Sequence, residues 1–256
     1  MYDIFSSDYD RFVNWSARLA VELPFIEQQL QAAGGEGLPH TLDTACGTGM
    51  HAIALAKEGY TAAGADLSKA MVERARENAR SAGVTVRFEA AGFGELAPVF
   101  GHGAFDALLC LGNSLPHVLT SQALAATLSD FAACLGPGGL LLVQNRNFDA
   151  VLSHQARWME PQSHRESAAE WLFLRFYDFD PDGLISFHIV TLQRTGAAPW
   201  TQRITTTRLR PLRQVEVLAA LSEAGFSQVT CYGDMTGTPF DSAASGNLVI
   251  AAWRSP

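Results

Sequence analysis

Between residues 40 and 145 the sequence alternates strand-like runs with helix-like runs. The strand-like runs are HTLDTA, YTAAGADL, VTVRFEAA, FDALLCLG and LLLVQN. The helix-like runs are MHAIALAKEG, SKAMVERARENARSAG and QALAATLSDFAACLGPGG, and in the second of them Ser68 is the predicted N-cap and Gly83 the C-cap. Parallel neighbouring strands need crossover helices, so this alternation predicts an α/β fold with a mostly parallel, doubly wound sheet.

A different pattern interrupts this alternation after residue 152. EWLFLRFYDF, GLISFHIVTLQR and WTQRITTTRLR are β-rich, and Asp180-Pro181-Asp182-Gly183 predicts a hairpin turn between the first two. We therefore expect an inserted antiparallel β lid at residues 153–211. The sheet domain then comprises residues 41–152 and 212–256, where helical and strand-like runs resume, and apolar positions at helical spacing over residues 7–31 predict a helical cap at residues 1–40.

Composition narrows the classes of partner. The 256-residue chain has a formal charge of −8, which disfavours a nucleic-acid or anionic-membrane surface and favours a small-molecule substrate. We expect a cytoplasmic protein, because no run approaches the roughly 20 apolar residues of a membrane span and the N-terminus lacks the pattern of a secretory signal. The four cysteines are far apart, and no spacing of cysteines or histidines indicates a metal site. The oligomeric state stays open.

A glycine-rich turn follows the first strand-like run, in TLDTACGTGMHAIALA. Gly47, Gly49 and Ala52 satisfy the G-x-G-x-x-G/A pattern of dinucleotide sites, so a nicotinamide-dependent oxidoreductase is one alternative. However, Asp43 ends the strand that leads into the turn, where its charge would repel a pyrophosphate. Residues 41–56 contain no Lys or Arg that could offset this repulsion. The turn therefore favours a ligand that carries positive charge and no phosphate.

S-adenosylmethionine has these properties, because it combines a sulfonium, an ammonium, a small carboxylate and a ribose diol. Asp66 ends the next strand-like run and is placed to accept both ribose hydroxyls. The alternative is that Asp43 and Asp66 only cap turns and helices. The two spacings taken together with the glycine turn predict S-adenosylmethionine as the cofactor.

At these motifs the sequence resembles the class I S-adenosylmethionine-dependent methyltransferases: LDTACGTG is similar to their first motif, GADLS to their ribose acid and LGPGGLLLV to the turn into their fifth strand. This resemblance implies a seven-stranded Rossmann-like sheet whose last strand is antiparallel. Within the class, LCLGNSLPHVL and VQNRNFDAVL resemble segments of the glycine, sarcosine and dimethylglycine N-methyltransferases, which also carry an antiparallel lid at the corresponding place.

The resemblance implies roles for individual residues. Asn113 and Arg146 would hold the carboxylate of the substrate. Leu111, Ser114 and His117 would line the methionine end of the cofactor, and Tyr9 and Arg18 would close the cofactor pocket. The remaining residues expected at the cofactor are Asp43, Ala45, Gly47, Gly49, Asp66, Leu67, Met71, Gly92 and Phe93.

The sequence departs from the family pattern in two places. Gly92, followed by Phe93, stands where such enzymes have an Asp or Asn for the adenine amine, so adenine recognition would depend on backbone amides and on Phe93. The tyrosines that surround the amine in the glycine enzymes are not evident in the lid segments QSHRES and TTRLRP, so glycine is not assigned as the acceptor.

The substrate residues have alternatives of their own. Arg146 would otherwise form an ion pair with Asp149, and Asn113 would otherwise be a turn residue. In the lid, Arg157 and Arg175 are further candidates for contacts with an anion. The expected reaction is methyl transfer to the amine of a carboxylate-bearing metabolite, without an obligatory base. One alternative is methyl transfer to a hydroxyl or carbon of a larger metabolite. Another is that the chain binds the cofactor without catalysing a reaction.

Overall fold

The computed structural model describes residues 10–33 and 37–255, which form two β-sheets and seven α-helices. The helices are α1 (Trp15–Ala33), α2 (Met50–Lys57), α3 (Lys69–Ala82), α4 (Leu96–Phe100), α5 (Ser121–Cys134), α6 (Phe148–Ser153) and α7 (Gln214–Glu223). The strands are β1 (Thr41–Asp43), β2 (Ala62–Asp66), β3 (Arg87–Ala90), β4 (Phe105–Cys110), β5 (Leu135–Arg146), β6 (Gln162–Glu166), β7 (Ala169–Phe179), β8 (Ile185–Thr195), β9 (Thr201–Leu209), β10 (Phe226–Tyr232) and β11 (Asn247–Arg254).

The larger sheet has seven strands in the order β10-β11-β5-β4-β1-β2-β3. β11 pairs antiparallel with both β10 and β5, and the other neighbouring pairs are parallel. The predicted fold class is confirmed. The strand order reverses between β1 and β4, and open α/β sheets bind ligands at the carboxyl ends of the strands at such a switch point.

Both faces of this sheet are covered. One buried cluster contains Leu108, Leu141 and Ile250 together with residues of α5 and α7, and the opposite cluster contains Leu109, Leu142 and residues of α1, α2 and α3. The central strands are buried on both sides, as expected for a doubly wound sheet, and this explains why β4 and β5 read as continuous apolar runs.

Helix ends follow local chemistry. The predicted caps of α3 are confirmed: the Ser68 hydroxyl accepts a hydrogen bond from the Met71 amide at 3.2 Å, and Gly83 is left-handed with a φ of 70°. α5 ends at Cys134, before the Gly-Pro-Gly-Gly segment, because Leu135 already pairs with Phe105 at the start of β5.

The smaller sheet is antiparallel, in the order β6-β7-β8-β9, and forms the inserted lid. The turn predicted between β7 and β8 is present, with the Gly183 amide donating to the Asp180 carbonyl at 3.0 Å. The lid has a fourth strand, β6, that the sequence did not indicate, since Gln162–Glu166 is polar and mostly exposed at the sheet edge. The boundaries predicted for the cap, the sheet domain and the lid stay predictions.

The helical stretch predicted over residues 7–31 is interrupted in the part that the structure describes. Residues 10–12 are helical, the chain breaks from helix at residues 13 and 14, and α1 starts at Trp15. Phe12 precedes this break and packs edge-to-face on Phe173 of the lid, with 5.4 Å between the ring centroids. Along the part of the chain that the structure describes, the apolar stretches of the helices are too short to cross a bilayer.

Candidate functional site

Two carboxylates stand side by side where β1 and β2 end. Asp43 is only 3% exposed and lies in register with Gly64 of β2, two residues before Asp66. The carboxylate of Asp66 accepts a hydrogen bond from the Gly47 amide and one from the Ser68 amide, both at 2.9 Å. These amides fix its orientation, and because a carboxylate oxygen can accept more than one hydrogen bond, Asp66 retains the capacity to receive a diol.

The glycine turn depends on the absence of side chains at two positions. Gly47 and Gly49 have φ values of 53° and 81°, a region that other residues rarely adopt. A Cβ on Gly49 would lie 2.7 Å from Cζ of Phe88 and 2.8 Å from Cβ of Ala75. The turn is therefore packed tightly against β3 and α3 at Gly49, and the contact of Gly49 with the cofactor stays a prediction.

A buried polar network from α1 covers the turn. Nε2 of His51 lies 2.7 Å from Oε2 of Glu22, and Nε of Arg18 donates to both oxygens of Glu22 at 3.0 and 2.9 Å. Burial would raise the pKa of Glu22, but the hydrogen bond to His51 and the charge of Arg18 lower it below its usual value. Nη2 of Arg18 also lies 3.8 Å from the position of a Cβ on Gly112, so this arginine reaches the end of β4.

Of these three residues, only Arg18 was predicted from the sequence to lie at the cofactor site; Glu22 and His51 were not. The i,i+4 spacing of Arg18 and Glu22 was the available signal for the first of them. Tyr9 lies outside the described residues. The neighbouring Asp10 accepts a hydrogen bond from Thr48 of the turn at 2.6 Å and one from the Trp15 indole at 3.0 Å, so the N-terminal segment contacts the turn directly.

The side of the pocket beyond β2 is mostly apolar. Leu67 is 80% exposed, and its Cδ1 lies 3.1 Å from the position of a Cβ on Gly92. Phe93 packs edge-to-face on Phe131, with 5.4 Å between the centroids, which holds one edge of its ring in the core. Met71 is buried at 1% exposure. The carboxylate of Glu95 accepts a hydrogen bond from the Gly92 amide at 3.1 Å, so this side of the site combines the apolar Leu67 and Phe93 with one acidic group.

The loop after β3 has a second structural support that the sequence did not indicate. Asp130 of α5 is buried and accepts hydrogen bonds from the amides of Gly94, Leu96 and Ala97 at 3.0, 2.9 and 3.0 Å. It therefore caps α4 from a neighbouring helix and holds the loop that carries Gly92 and Phe93.

The loop after β4 is tied to the end of β5. Asn113 is left-handed, with a φ of 65°, and its side-chain oxygen accepts a hydrogen bond from the Arg146 amide at 2.9 Å. The Gly112 amide donates to Oε1 of Gln144 at 2.7 Å. Asn113 is thus more than a turn residue: its oxygen clamps β5, and its amide nitrogen is the group that can donate to a ligand.

The other residues predicted at the methionine end lie in the same loop. Leu111 is buried, and the Ser114 hydroxyl donates to the Leu111 carbonyl at 2.8 Å. His117 ends a short 3-10 helix, and burial lowers its pKa to about 4. The imidazole is therefore neutral at physiological pH.

The side chain of Arg146 projects from the carboxyl end of β5. Its Nε is buried and has no hydrogen-bond partner among the described residues. Asp149, the expected alternative partner, instead accepts a hydrogen bond from the Gln214 amide at 2.9 Å. Arg146 is electrostatically coupled to two residues of the lid: burial, and then the charge of Arg146, lowers the pKa of Arg175, and the same charge opposes the burial that raises the pKa of Tyr177.

The chemistry of this donor set fits S-adenosylmethionine and does not fit a dinucleotide. Asp43 ends the strand that leads into the glycine turn, where its charge would repel a pyrophosphate, and residues 41–56 offer no cation to offset this. The predicted roles of Asp43 at the ammonium, of Asp66 at the ribose and of Leu67 at the adenine agree with this chemistry and stay predictions. Two surface cavities of about 350 and 390 Å³ lie elsewhere, against α7 and in the loop after β10, and neither contains these residues.

A seven-stranded sheet of this order, with acids after β1 and β2 and an antiparallel lid after β5, defines a class I S-adenosylmethionine-dependent methyltransferase. The family model described as a methyltransferase domain matches residues 41–139. A solved S-adenosylmethionine-dependent methyltransferase from Clostridium acetobutylicum has the same fold, with a TM-score of 0.78, 17% identity and coverage of 100% of this chain and 99% of the other.

Relatives at higher identity refine this class. A glycine/sarcosine N-methyltransferase of Parasynechococcus marenigrum is 30% identical over 240 residues, which cover 90% of this chain and 77% of the relative. One of Halorhodospira halochloris is 29% identical over 236 residues, which cover 92% and 82%. The chain belongs to this family of S-adenosylmethionine-dependent methyltransferases, so the predicted enzyme class and cofactor are confirmed.

The titration of Asp43 gives a prediction for the pH dependence of cofactor binding. Burial, with a smaller contribution from Asp66, raises the pKa of Asp43 to about 6, against the opposing effects of His51, the Ala45 amide and Arg18. Only the ionised carboxylate attracts a cationic ligand, so we expect cofactor affinity to fall roughly 10-fold between pH 7.5 and pH 5, measured by calorimetry.

Unfolding at low pH would not explain this loss of cofactor affinity, because the titration of Asp43 stabilises the fold as the pH falls. Because the folded pKa of Asp43 exceeds its ordinary value of 3.8, protonation of this group stabilises the fold as the pH falls, and that stability is lost as the pH rises through about 6. An Asp43→Asn variant should bind the cofactor weakly, and its affinity should not change between pH 5 and pH 7.5. If the variant keeps the wild-type slope, a different group titrates.

Proposed function

We propose that the enzyme methylates the amine of a small, carboxylate-bearing metabolite, with Arg146 and Asn113 holding the carboxylate. The observation that carries this proposal is the buried Nε of Arg146, which has no partner among the described residues and lies at the carboxyl end of a central strand. A guanidinium nitrogen that is buried without a partner favours an anionic ligand, and a carboxylate matches the guanidinium fork in a bidentate manner. The names of the glycine/sarcosine relatives agree with an amino-acid acceptor.

The bound cofactor supplies an electrophilic methyl group on a sulfonium. In the proposed mechanism Asp43 and Asp66 hold the cofactor on the β1 and β2 side of the switch point, and Arg146 holds the acceptor on the β5 side. The Asn113 side chain bonds to the Arg146 backbone, so the substrate anchor and the loop next to the methyl group move as one unit. Alignment of a neutral amine with the methyl group then lowers the barrier by several kcal/mol, within the range of about 7–11 kcal/mol found in ideal models.

His117 is a poor candidate for the base that a hydroxyl acceptor would need. A hydroxyl must lose its proton during transfer and benefits from a base whose pKa is near the working pH. Burial lowers the pKa of His117 to about 4, which makes it a weak base. An amine that enters in its neutral form needs no base in the transfer step.

A panel of acceptors tests the proposal. We expect S-adenosylhomocysteine release with carboxylate-bearing amines, and little or none with phenols and with amines that lack a carboxylate. Activity confined to hydroxylated or carbon-acceptor metabolites would overturn the proposal in favour of O- or C-methylation. The residue roles assigned here and the cytoplasmic location expected from the sequence stay predictions.

A further inference from the structure

The inner face of the lid, which packs towards the sheet domain, carries positive charge and no negative charge in its three long strands. In β7 the odd-numbered residues Trp171, Phe173 and Tyr177 are buried, so these positions define the inner face. The strand register places the odd-numbered residues of β8 and β9 on the same face. Over residues 169–209, all of which the structure describes, the charged residues at these positions are Arg175 and Arg203.

The acids of the lid hairpins lie elsewhere and are already paired. The outer face and the turn between β7 and β8 contain three groups of ion pairs: Glu170 with Arg165 and Arg194, Asp178 with Arg157 and His188, and Asp180 and Asp182 with Arg208. Glu166 at the edge strand β6 pairs with Arg11. None of these acids is paired with Arg175, and Arg157, the other candidate anion contact, is held at the outer face.

Arg175 is thus a cation on an apolar surface. It lies between the buried Phe173 and Tyr177, and its Cζ is 4.9 Å from the centroid of the Phe12 ring. Its Nε is buried without a hydrogen-bond partner among the described residues, and its Nη2 makes only a long contact of 3.4 Å to the Glu160 carbonyl. Burial, together with the positive charge of Arg146, lowers its pKa.

Arg146 and Arg175 each bury an Nε that has no hydrogen-bond partner among the described residues, and this is unfavourable unless an anion compensates for the lost hydration. Each loses hydration on burial, and each also repels the other. Tyr177 does not supply a negative charge, because burial raises its pKa to about 12 against the opposing charges of Arg146 and Arg175. Within residues 10–33 and 37–255 no acid is paired with either guanidinium, so an anionic ligand can supply the negative charge, and two cations, one on β5 and one on the lid, match an anion at each end of that ligand.

We infer that Arg175 is a specificity-determining residue which binds a second acidic group of the acceptor, so that the preferred substrate is an amine carrying two carboxylates, of the amino dicarboxylate class. This inference rests on the proposed function, since it assumes that Arg146 holds the first carboxylate.

The first experiment measures binding without methyl transfer. Succinate and its half-neutral analogue succinamate are titrated into the enzyme saturated with S-adenosylhomocysteine, and calorimetry gives the two dissociation constants. A charge-assisted hydrogen bond contributes roughly 10- to 100-fold to binding, so wild type should prefer succinate by that factor. Arg175→Met should reduce the preference to within about 3-fold, whereas Arg194→Met, which removes a paired arginine of the outer face, should leave it unchanged.

The second experiment measures catalysis with isosteric pairs, aspartate against asparagine and glutamate against glutamine. We expect wild type to favour the diacid in kcat/KM, Arg175→Met to lose this preference, and Arg175→Lys to regain part of it.

Equal losses for the acid and the amide would mean that both arginines hold one carboxylate, which overturns the inference. Wild-type activity on monocarboxylate amines without a preference for diacids would also overturn it while leaving the proposed function intact. Activity on phenols alone would instead refute the proposed function.

Discussion

Replacing Asp66 by alanine is expected to weaken S-adenosylmethionine binding by ~100-fold or more, because two charge-assisted hydrogen bonds to the ribose are lost together. The same carboxylate orders the glycine turn through the amides of Gly47 and Ser68, so its removal also leaves those donors without their acceptor. Calorimetric titration of the cofactor measures the effect, and thermal unfolding of the free variant shows whether the fold is retained.

A matched control for this variant is Asp234→Ala. Asp234 also accepts two loop amides, those of Thr236 and Thr238 at 2.8 and 3.2 Å, but it follows β10, four strands away from β1. We expect it to lower stability modestly and to leave cofactor affinity within about 2-fold of wild type. If Asp66→Ala retains wild-type affinity, the assignment of the ribose acceptor is wrong.

Replacing Arg146 by methionine should lower kcat/KM for a carboxylate-bearing amine by roughly 100-fold, mostly through KM, while cofactor affinity stays unchanged. The loop clamp survives this change, because Asn113 bonds to the backbone amide of residue 146 and not to its side chain. Arg146→Lys keeps the charge but loses the fork, so an intermediate loss of about 10-fold is expected. Steady-state kinetics with the best acceptor of the panel measures all three enzymes.

Arg208→Met serves as the control, since this arginine is bonded to Asp182 at the turn between β7 and β8. It should leave both kinetic constants near their wild-type values. A parallel fall in cofactor affinity and acceptor affinity in Arg146→Met would place Arg146 in the cofactor site and would remove the main support for a carboxylate acceptor.

The cofactor side of the site was accessible to sequence reasoning because its parts are local. Asp43, the glycine turn and Asp66 lie within 24 residues of one another and belong to one strand–helix–strand unit. The geometry of that unit is restricted by crossover handedness and by the conformations that only glycine adopts readily. Residue types at the right spacing were therefore enough to predict which ligand the turn would accept.

The residues on the acceptor side of the site could not be predicted from the sequence in the same way. Arg146 and Arg175 are separated by a helix and a strand, and the sequence ranked Arg157 and Arg175 equally as anion contacts. The lid register separates them, because it places Arg175 on the inner face and leaves Arg157 on the outside with Asp178. A shift of one residue in that register would exchange the two faces.

The alternation of strands and helices, the inserted hairpins, the cofactor and its two acids were determined by the sequence alone, because each depends on periodicity or on contacts within a short segment. The tertiary structure decided which charged groups are buried and how they are paired: Glu22 of α1 against His51, Asp130 of α5 against the loop before α4, and the Nε atoms of Arg146 and Arg175. Burial and pairing depend on segments distant in the chain that meet only when the fold closes, and the free energy of a charge is set by those neighbours.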